Sequence, residues 1–530
     1  MIKTEVERLW LLALLSKCES LTLQNTIIMA SIFLLSGLIL HLTFWAHPGG
    51  PAWGKHKWTL NHKTSPPIPG PRGLPLIGSM GLMSGLAHRH IAAAALAHKA
   101  RRLMSFSLGQ TRVIVTCDPE VAKDILNSPA FCDRPAKESA YRLMFNRSIG
   151  FAPYGAYWAA LRRISAAHLF CPRQIRASEQ KRAEIASELV GVLAGSAAGI
   201  RVRDVLKLAS LNNMMWSVFG RSYGLGSVDP ETEELRDLVD EGYDLLGKLN
   251  WSDHIHIPFV ADLDLQRIRL RCGRIVPRVK RFVGRIIAEH KVEKCSSSSG
   301  DFVDVLLSLK GADRLSDSDM ISVLWEMIFR GTDTVAVVIE WILARLVLHP
   351  DVQLKVHGEL DQVVGRSGAV TESHLTELVY LTAVVKEVLR MHPPGPLLSW
   401  SRLSITDSIV DGHHVPSATT AVVNMWAIMR DPNVWTDPLT FNPDRFLAQT
   451  TPIADQFSLL GSDLRIAPFG SGRRSCPAKT LAITTVTFWV ATLLHEFQFM
   501  GDVDLSEVLK LSCEMANPLV VRVRPRRAGV

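Results

Sequence analysis

An apolar stretch near the start of the chain covers residues 27–46, which contain no formally charged side chain. Its length matches the roughly 20 residues that an α-helix needs to span a bilayer, and Trp45 near its end is typical of a membrane interface. Lysine, arginine and histidine residues follow the stretch, whereas Glu5, Glu7 and Glu19 precede it. This asymmetry predicts one transmembrane anchor, with the bulk of the chain in the cytoplasm. A cleaved secretory signal is the alternative, but no small-residue cleavage site follows the stretch.

Beyond this stretch the pattern changes from extended to helical. The proline-rich residues 66–75 predict a stiff, extended hinge. Short β-rich runs on either side of Gly109 and Gln110 predict a hairpin, and Asp118 followed by proline and glutamate predicts a helix start. From residue 151 onwards the pattern is mostly helical, which predicts a single large, mainly α domain. The predicted organisation is a lumenal segment (1–26), a transmembrane anchor (27–46), a linker with the hinge (47–75) and the large domain (76–530).

The composition is that of a folded protein, and the net charge indicates which classes of partner the protein can bind. Of the 530 residues, 47% are hydrophobic and 21% are charged, and the formal net charge is +8 with a pI near 9.1. This balance suits an anionic membrane surface or an acidic protein partner. No nucleic-acid motif or arginine-rich run accompanies it, so nucleic acid is not predicted. Eight cysteines without a Cys-x-x-Cys pair predict neither a disulfide framework nor a zinc site.

Residues 469–478, FGSGRRSCPA, form a glycine-punctuated loop with Cys476 near its end. A helix is predicted to begin at the last residue of this loop, and a thiolate at a helix N-terminus is stabilised by the dipole and the free amides. Gly470 and Gly472 let the backbone approach a flat ligand, and Arg474 can neutralise a carboxylate. These features meet the requirements of a haem iron held by a cysteine. The alternative is a buried structural cysteine beside a solvated basic turn.

Two helical segments place pairs of side chains on one helix face. Trp158 and Arg162 are four residues apart, so an indole donor and a guanidinium donor point the same way. An exposed arginine near a core tryptophan is the alternative. Glu387 and Arg390 are three residues apart and can form an ion pair, whose alternative role is a surface contact worth about 0–1 kcal/mol. Spacing alone leaves both alternatives open.

Together these motifs resemble those of the cytochrome P-450 family. The cysteine loop is similar to the family pattern Phe-x-x-Gly-x-Arg-x-Cys-x-Gly through Phe469, Gly472, Arg474 and Cys476, with Ala478 in place of the final glycine. The resemblance covers most of the chain after the anchor. It implies the single α-rich cytochrome P-450 fold with small sheets, and haem b as a cofactor whose iron is held by Cys476.

The resemblance also implies roles for the paired residues. Trp158 and Arg162 are similar to the family's Trp-x-x-x-Arg helix, whose side chains donate hydrogen bonds to a haem propionate. Glu387 and Arg390 are similar to its buried Glu-x-x-Arg pair, which a later arginine locks, and Arg445 is that arginine here. The three residues therefore serve folding and haem retention rather than chemistry. A buried charge that loses its partner is costly.

Residues 325–336 lie in a long apolar helix, predicted to run to about Leu348, that resembles the family's distal helix. In the family an acid followed by a threonine delivers protons near dioxygen, and the resemblance gives these roles to Asp333 and Thr334. The alternative is a helix-interior pair in which the threonine bonds back to the preceding turn. Arg330 departs from the small apolar residue usual at its position, and a charge there needs a partner. We predict that Arg330 forms a salt bridge to a neighbouring helix. Alternatively, it binds a substrate carboxylate.

The turn after the Glu-x-x-Arg helix is expected to lie beside the haem. The resemblance implies that Leu398 and Trp400 contact the substrate and that Arg402 contacts a propionate. Several segments narrow the resemblance to the plant family 78, subfamily A, which includes the KLUH-type regulators of organ and seed size. These segments are FCDRP (131–135), NWSDH (250–254), FRGTDTVA (329–336) and HPPGPLLSW (392–400).

The narrower resemblance implies an endoplasmic-reticulum monooxygenase that takes electrons from an NADPH reductase. It would insert one atom of dioxygen into a C–H bond of a lipophilic small molecule, with fatty acids as the expected substrates. Two other classes remain open. A haem-thiolate isomerase or dehydratase needs no reductase and no proton delivery, so the intact pair Asp333–Thr334 argues against it. A haem-binding sensor without turnover is the non-enzymatic alternative.

Overall fold

The computed structural model describes residues 23–45, 66–74, 76–195, 199–225, 229–255, 263–293, 301–398, 401–447 and 457–526. Within these residues the protein is rich in helices and its strands are short, as predicted. The α-helices are α1 (Leu23–Trp45), α2 (Ala87–Ala97), α3 (Pro119–Asn127), α4 (Glu138–Arg142), α5 (Ala156–His168), α6 (Pro172–Ala177), α7 (Glu179–Ala194), α8 (Val202–Phe219), α9 (Pro230–Gly247), α10 (Ile268–Glu293), α11 (Phe302–Ser308), α12 (Asp317–Leu348), α13 (Pro350–Val363), α14 (Val379–Met391), α15 (Met425–Ile428) and α16 (Lys479–Glu496). The strands are β1 (Met104–Leu108), β2 (Thr111–Thr116), β3 (Ile200–Arg201), β4 (Arg402–Leu403), β5 (Ser408–Val410), β6 (His413–Val415), β7 (Thr420–Val423), β8 (Phe497–Met500), β9 (Glu507–Leu509), β10 (Cys513–Met515) and β11 (Val520–Pro525).

The long helix α12 connects the two largest parts of the hydrophobic core. It is apolar on most sides, which is the pattern of a helix buried all round, and most of its residues are buried. Its N-terminal half packs with apolar residues of α8, α9 and α10, and its C-terminal half packs with those of α14 and α16. Ser316 caps the helix by accepting a hydrogen bond from the Asp319 N–H. The helix ends at Leu348, as predicted.

The largest sheet has the strand order β1-β2-β7-β4. β1 and β2 form the predicted antiparallel hairpin, and β2 pairs in parallel with β7. The next helix, α3, begins as predicted, because the Asp118 side chain accepts hydrogen bonds from the N–H groups of Glu120 and Val121. The described part of the proline-rich segment lies against β1, where the Ser105 N–H donates to the Pro69 carbonyl at 2.8 Å.

The predicted anchor, residues 27–46, falls within α1 except for its last residue, which lies outside the described residues. Large apolar side chains such as Phe33 and Leu34 are exposed along α1. None of the described helices meets the combined length and apolarity expected of a membrane span. The anchor stays a prediction, as do the boundaries of the segments 1–26 and 47–75, which lie largely outside the described residues.

Candidate active site

The main cavity of the described chain lies against the middle of α12 and the loop before α16, and has a volume of about 260 Å³. Residues of α3, α5, α8, α14, α16 and β4 and of several loops also line it. Cys476 lines the cavity, and it is the only one of the six described cysteines to do so. Phe469 lies beside it on the same loop. The structure therefore brings the predicted cysteine loop and the predicted distal helix to one cavity.

Backbone contacts hold Cys476 at the end of its loop. Its N–H donates to the Phe469 carbonyl at 3.0 Å, and α16 begins directly after Ala478, as predicted. Burial raises the pKa of the Cys476 thiol, while the Ala478 N–H and nearby arginines act in the opposite direction. Burial and the helix N-terminus thus act on this thiol in opposite directions, and coordination of a metal cation would further stabilise the thiolate.

The two glycines of this loop serve different contacts. Both have φ of +69°, a region that favours glycine. Gly470 lines the cavity, and a Cβ there would lie 3.8 Å from Leu398 Cδ1. Gly472 does not line the cavity, and a Cβ there would collide with the carbonyl oxygen of Leu126 at the end of α3. Gly472 thus allows the loop to pack against α3, and its role in approaching a ligand stays a prediction.

The cavity wall carries a concentration of positive charge. Its five arginines are Arg134, Arg162, Arg330, Arg402 and Arg474. Burial, together with repulsion from Arg474 and Arg162, lowers the pKa of Arg402 to about 9. Burial also lowers the pKa of Arg474 to about 10, although Asp133 lies 3.4 Å away. Cations held this close in a buried wall favour an anionic ligand between them.

The predicted propionate contacts lie together on this wall. Trp158, Arg162 and Arg402 each donate a hydrogen bond to a backbone carbonyl at 2.9–3.1 Å. The Arg474 guanidinium lies over the Trp158 ring, 4.4 Å from its centroid. A guanidinium group has five N–H donors, so one bond to a carbonyl leaves Arg162 and Arg402 capacity for an anion, whereas the single N–H of Trp158 is taken by the Ile149 carbonyl. The structure thereby confirms that these four side chains are neighbours.

The two residues predicted to deliver protons face different surroundings. Thr334 lines the cavity, whereas Asp333 is buried behind it. The Asp333 carboxylate lies 2.9 Å from Lys207 Nζ on α8, and the same ammonium lies 3.7 Å from Asp240 on α9. The exposed fraction of the side chain falls from 53% at Asp240 to 28% at Lys207 and 5% at Asp333. Alternating charges thus lead from the surface to the residue beside Thr334.

Arg330 has the salt bridge that its position requires, and the partner lies on its own helix. Its Nη1 lies 3.4 Å from Oε1 of Glu326, one turn earlier on α12. Glu326 also accepts a hydrogen bond from the Gly150 N–H at 2.8 Å. Burial raises the pKa of Glu326, and the charge of Arg330 opposes that shift. Both side chains line the cavity.

The Glu-x-x-Arg pair has the predicted buried geometry. Arg390 donates two hydrogen bonds to the Glu387 carboxylate, at 2.7 and 2.8 Å, and both side chains are fully buried. Arg445 donates to the same carboxylate at 3.2 Å. Arg390 also donates to the carbonyls of Met429 and Pro438 at 2.8 Å. The arginine predicted to lock the pair is therefore confirmed.

Of the two predicted substrate contacts after α14, Leu398 lines the cavity. Trp400 lies outside the described residues, so its contact stays a prediction.

Sequence reasoning gave no role to three charged residues of the site: Arg134, Lys207 and Glu326. Glu326 carried a usable signal, since it lies four residues before Arg330 in an otherwise apolar helix. Lys207 carried none, because its partner lies on another helix.

Comparison with known proteins agrees with this site. The chain matches the family model described as Cytochrome P450 over residues 68–516. Cytochrome P450 78A9 of Arabidopsis thaliana is 62% identical over 527 residues, which cover 98% of each chain. Cytochrome P450 78A3 of Glycine max is also 62% identical, over 98% of this chain and 99% of the relative. Flavonoid 3'-monooxygenase of Arabidopsis thaliana is 33% identical, over 89% of this chain and 94% of the relative.

Cytochromes P450 hold haem iron through a cysteine thiolate, and the cavity fits that group. It offers one described cysteine, Cys476, and five arginines that can balance the two propionates. Haem ligated by cysteine is accordingly the cofactor of this protein. The chain belongs to the cytochrome P450 family, among the plant 78A proteins.

Proposed function

We propose that the protein inserts one atom of dioxygen into a C–H bond of an apolar small molecule, with electrons from NADPH delivered by a partner reductase. The second oxygen atom leaves as water, so each product consumes one dioxygen, two electrons and two protons. The observation that carries this proposal is the placement of Cys476 and Thr334 on the wall of one cavity. An iron ligand and a hydroxyl that can pass protons are then on the same wall as the bound substrate.

Cysteine-ligated haem, when bound, activates dioxygen for this insertion. Cys476 is the residue that would hold the iron, and Arg162, Arg402 and Arg474 would hold the propionates, with Trp158 packed against Arg474. These residues come from α5, β4 and the loop before α16. The position of the cofactor therefore depends on how three separate elements pack.

Proton delivery is assigned to the residues next to the cavity. Thr334 presents its hydroxyl there, and Asp333 supplies protons from the side that faces Lys207 and Asp240. Burial lowers the pKa of Lys207, but the carboxylates of Asp333, Asp240 and Glu514 together outweigh burial and leave that pKa raised. Lys207 thus stays charged and acts as a positioning residue for the Asp333 carboxylate.

Removing the Thr334 hydroxyl is expected to uncouple NADPH oxidation from product formation. Thr334→Val should lower product formation by about 10²-fold, the lower end of the range for acid–base catalysis, while NADPH oxidation continues and peroxide accumulates. Lys207→Met should cause a smaller loss of coupling, because Asp333 keeps its carboxylate but loses the cation that orients it. Product and peroxide formed per NADPH are the measurements. Lys207→Arg is the control that retains the charge, and wild-type coupling in Lys207→Met would contradict the role of Lys207.

Fatty acids are the substrates that we propose. The resemblance to subfamily 78A supports them, as does a cavity wall that combines apolar residues such as Met327, Val335 and Leu398 with arginines. Phenolic compounds are the nearest other class, because one relative is named for action on a flavonoid.

The endoplasmic-reticulum membrane is the proposed location, with the large domain (76–530) in the cytoplasm and residues 27–46 as the anchor. The charge asymmetry around the apolar stretch supports this orientation. A role in plant organ or seed growth is supported by the resemblance to the KLUH-type regulators.

The function is tested with membrane-reconstituted, haem-loaded protein, reductase, NADPH and isotopically heavy dioxygen, offered a panel of fatty acids. We expect a hydroxylated acid that contains one heavy oxygen atom, measured by mass spectrometry. Unchanged acids together with an intact thiolate–haem spectrum would contradict the fatty-acid substrates and direct the search to phenolic compounds. A product formed without NADPH and reductase would instead indicate an isomerase or dehydratase.

A further inference from the structure

Arg330 and Glu326 form a charged pair on the cavity wall, one helical turn before Thr334. The Arg330 side chain is 39% exposed and faces the cavity, whereas that of Glu326 is 1% exposed. Both Glu326 oxygens accept the Gly150 N–H, at 2.8 and 3.2 Å. The contact between Arg330 and Glu326, at 3.4 Å, is longer than an ordinary hydrogen bond. The Glu326 carboxylate thus contacts both the Gly150 N–H and the Arg330 guanidinium.

Gly150 makes this arrangement possible. A Cβ at residue 150 would collide with Oε1 of Glu326 and would lie 2.5 Å from Nη1 of Arg330. The Gly150 carbonyl accepts a hydrogen bond from Arg134 Nε at 3.3 Å. One residue without a side chain therefore brings a carboxylate and two guanidinium groups to the same part of the wall.

The charges of the wall do not balance when haem is bound. Five arginines line the described cavity against one carboxylate, that of Glu326. A ferric porphyrin with a thiolate ligand is neutral at its core, so haem contributes only the two negative charges of its propionates. Asp133, beside Arg474, contributes one more. The five arginines therefore outnumber these four negative charges by one, and the wall favours binding of a further anion.

We propose that Arg330 forms an anion subsite of the substrate pocket and binds the carboxylate of an otherwise apolar substrate. This inference rests on the monooxygenase function proposed above and names the residue that selects its substrate class. Arg330 is the cation assigned to the substrate because it lies on α12 beside Thr334, whereas Arg162, Arg402 and Arg474 carry the motifs of propionate contacts.

Glu326 sets the strength of this subsite. Its carboxylate competes with a substrate carboxylate for the same guanidinium, so it weakens acid binding and allows release of the product. Arg330 forms a charge-assisted bond with the incoming carboxylate, and apolar wall residues such as Met327, Val335 and Val338 contact the hydrocarbon chain. Uncharged analogues lack the bond to Arg330 and keep the contacts with the apolar residues.

Binding is measured on haem-loaded, full-length protein by the change in haem absorbance on titration, without reductase or NADPH. The probes are a medium-chain fatty acid and its methyl ester. Arg330→Gln is expected to weaken acid binding about 10- to 100-fold, the range for a hydrogen bond to a charged group, and to leave ester binding within about twofold. Arg163→Gln is the matched control, because it removes the same charge from an exposed arginine on α5 that does not line the cavity.

Glu326→Gln provides a test with the opposite sign. Glutamine keeps an acceptor for the Gly150 N–H but removes the competing charge, so acid binding should tighten by about threefold to tenfold while ester binding stays unchanged. Equal weakening of acid and ester binding in Arg330→Gln would overturn the proposal. Loss of haem from Arg330→Gln, restored in Arg330→Lys, would assign Arg330 to the cofactor and would also overturn it.

Failure of the subsite and failure of the proposed function give different results. An acid that binds through Arg330 but is never oxidised would leave the subsite in place and remove the monooxygenase proposal. Suppose instead that wild type and Arg330→Gln oxidise an ester or alcohol equally, and that the substitution does not affect acid binding. This result would remove the subsite and leave the monooxygenase proposal in place.

Discussion

Replacing Cys476 with serine is expected to abolish the thiolate–haem spectrum and reduce product formation to background. A serine hydroxyl stays protonated where a metal-bound cysteine is a thiolate, so the iron loses its anionic ligand. The loss should exceed the roughly 10- to 100-fold effects seen when only a hydrogen-bond partner of a metal ligand is removed. The carbon monoxide difference spectrum and haem content per chain are the measurements.

Cys513→Ser is the matched control for this substitution. Cys513 is also buried, and it forms with His88 and Glu507 a group of three possible metal ligands that lies outside the lining of the main cavity. The variant should keep its haem and its spectrum. A thiolate spectrum retained in Cys476→Ser, or lost in Cys513→Ser, would show that the wrong cysteine has been assigned.

Replacing Glu387 with alanine is expected to lower the free energy of unfolding by about 3–5 kcal/mol, because two buried guanidinium groups lose their carboxylate. The Asn442 N–H loses the same acceptor, which now lies 3.0 Å away. A loss of this size is a large fraction of the stability of an ordinary domain. Chemical unfolding of the haem-loaded protein, followed by haem absorbance and circular dichroism, measures the change.

Asp444→Ala separates this effect from a general loss of acidic charge. Asp444 adjoins Arg445 in sequence and pairs with Lys355 at 3.1 Å, in a contact where both side chains are at least a third exposed. Its removal should change the free energy of unfolding by less than about 1 kcal/mol. If Glu387→Ala proved no less stable than Asp444→Ala, the structural role of the buried pair would be contradicted.

The site could be predicted from sequence wherever its chemistry depends on neighbours along the chain. Trp158 and Arg162 share a helix face because four residues make about one turn, and Cys476 is followed at once by the helix that starts after its loop. Arg445 needed the family resemblance, since it lies 58 residues from Glu387. The packing of Gly472 could not be predicted from the sequence, because the backbone that it approaches belongs to α3.

By itself the sequence determined the mainly α class, the long central helix, the cysteine loop and the helical pairs, because each is set by interactions within a few residues. Only the tertiary structure decided which charges meet. It placed Lys207 against Asp333 across two helices and joined Gly150 to Glu326 over a separation of 176 residues. Contacts of that kind leave no spacing in the sequence, since the packing of helices around α12, and not the local backbone, brings the partners together.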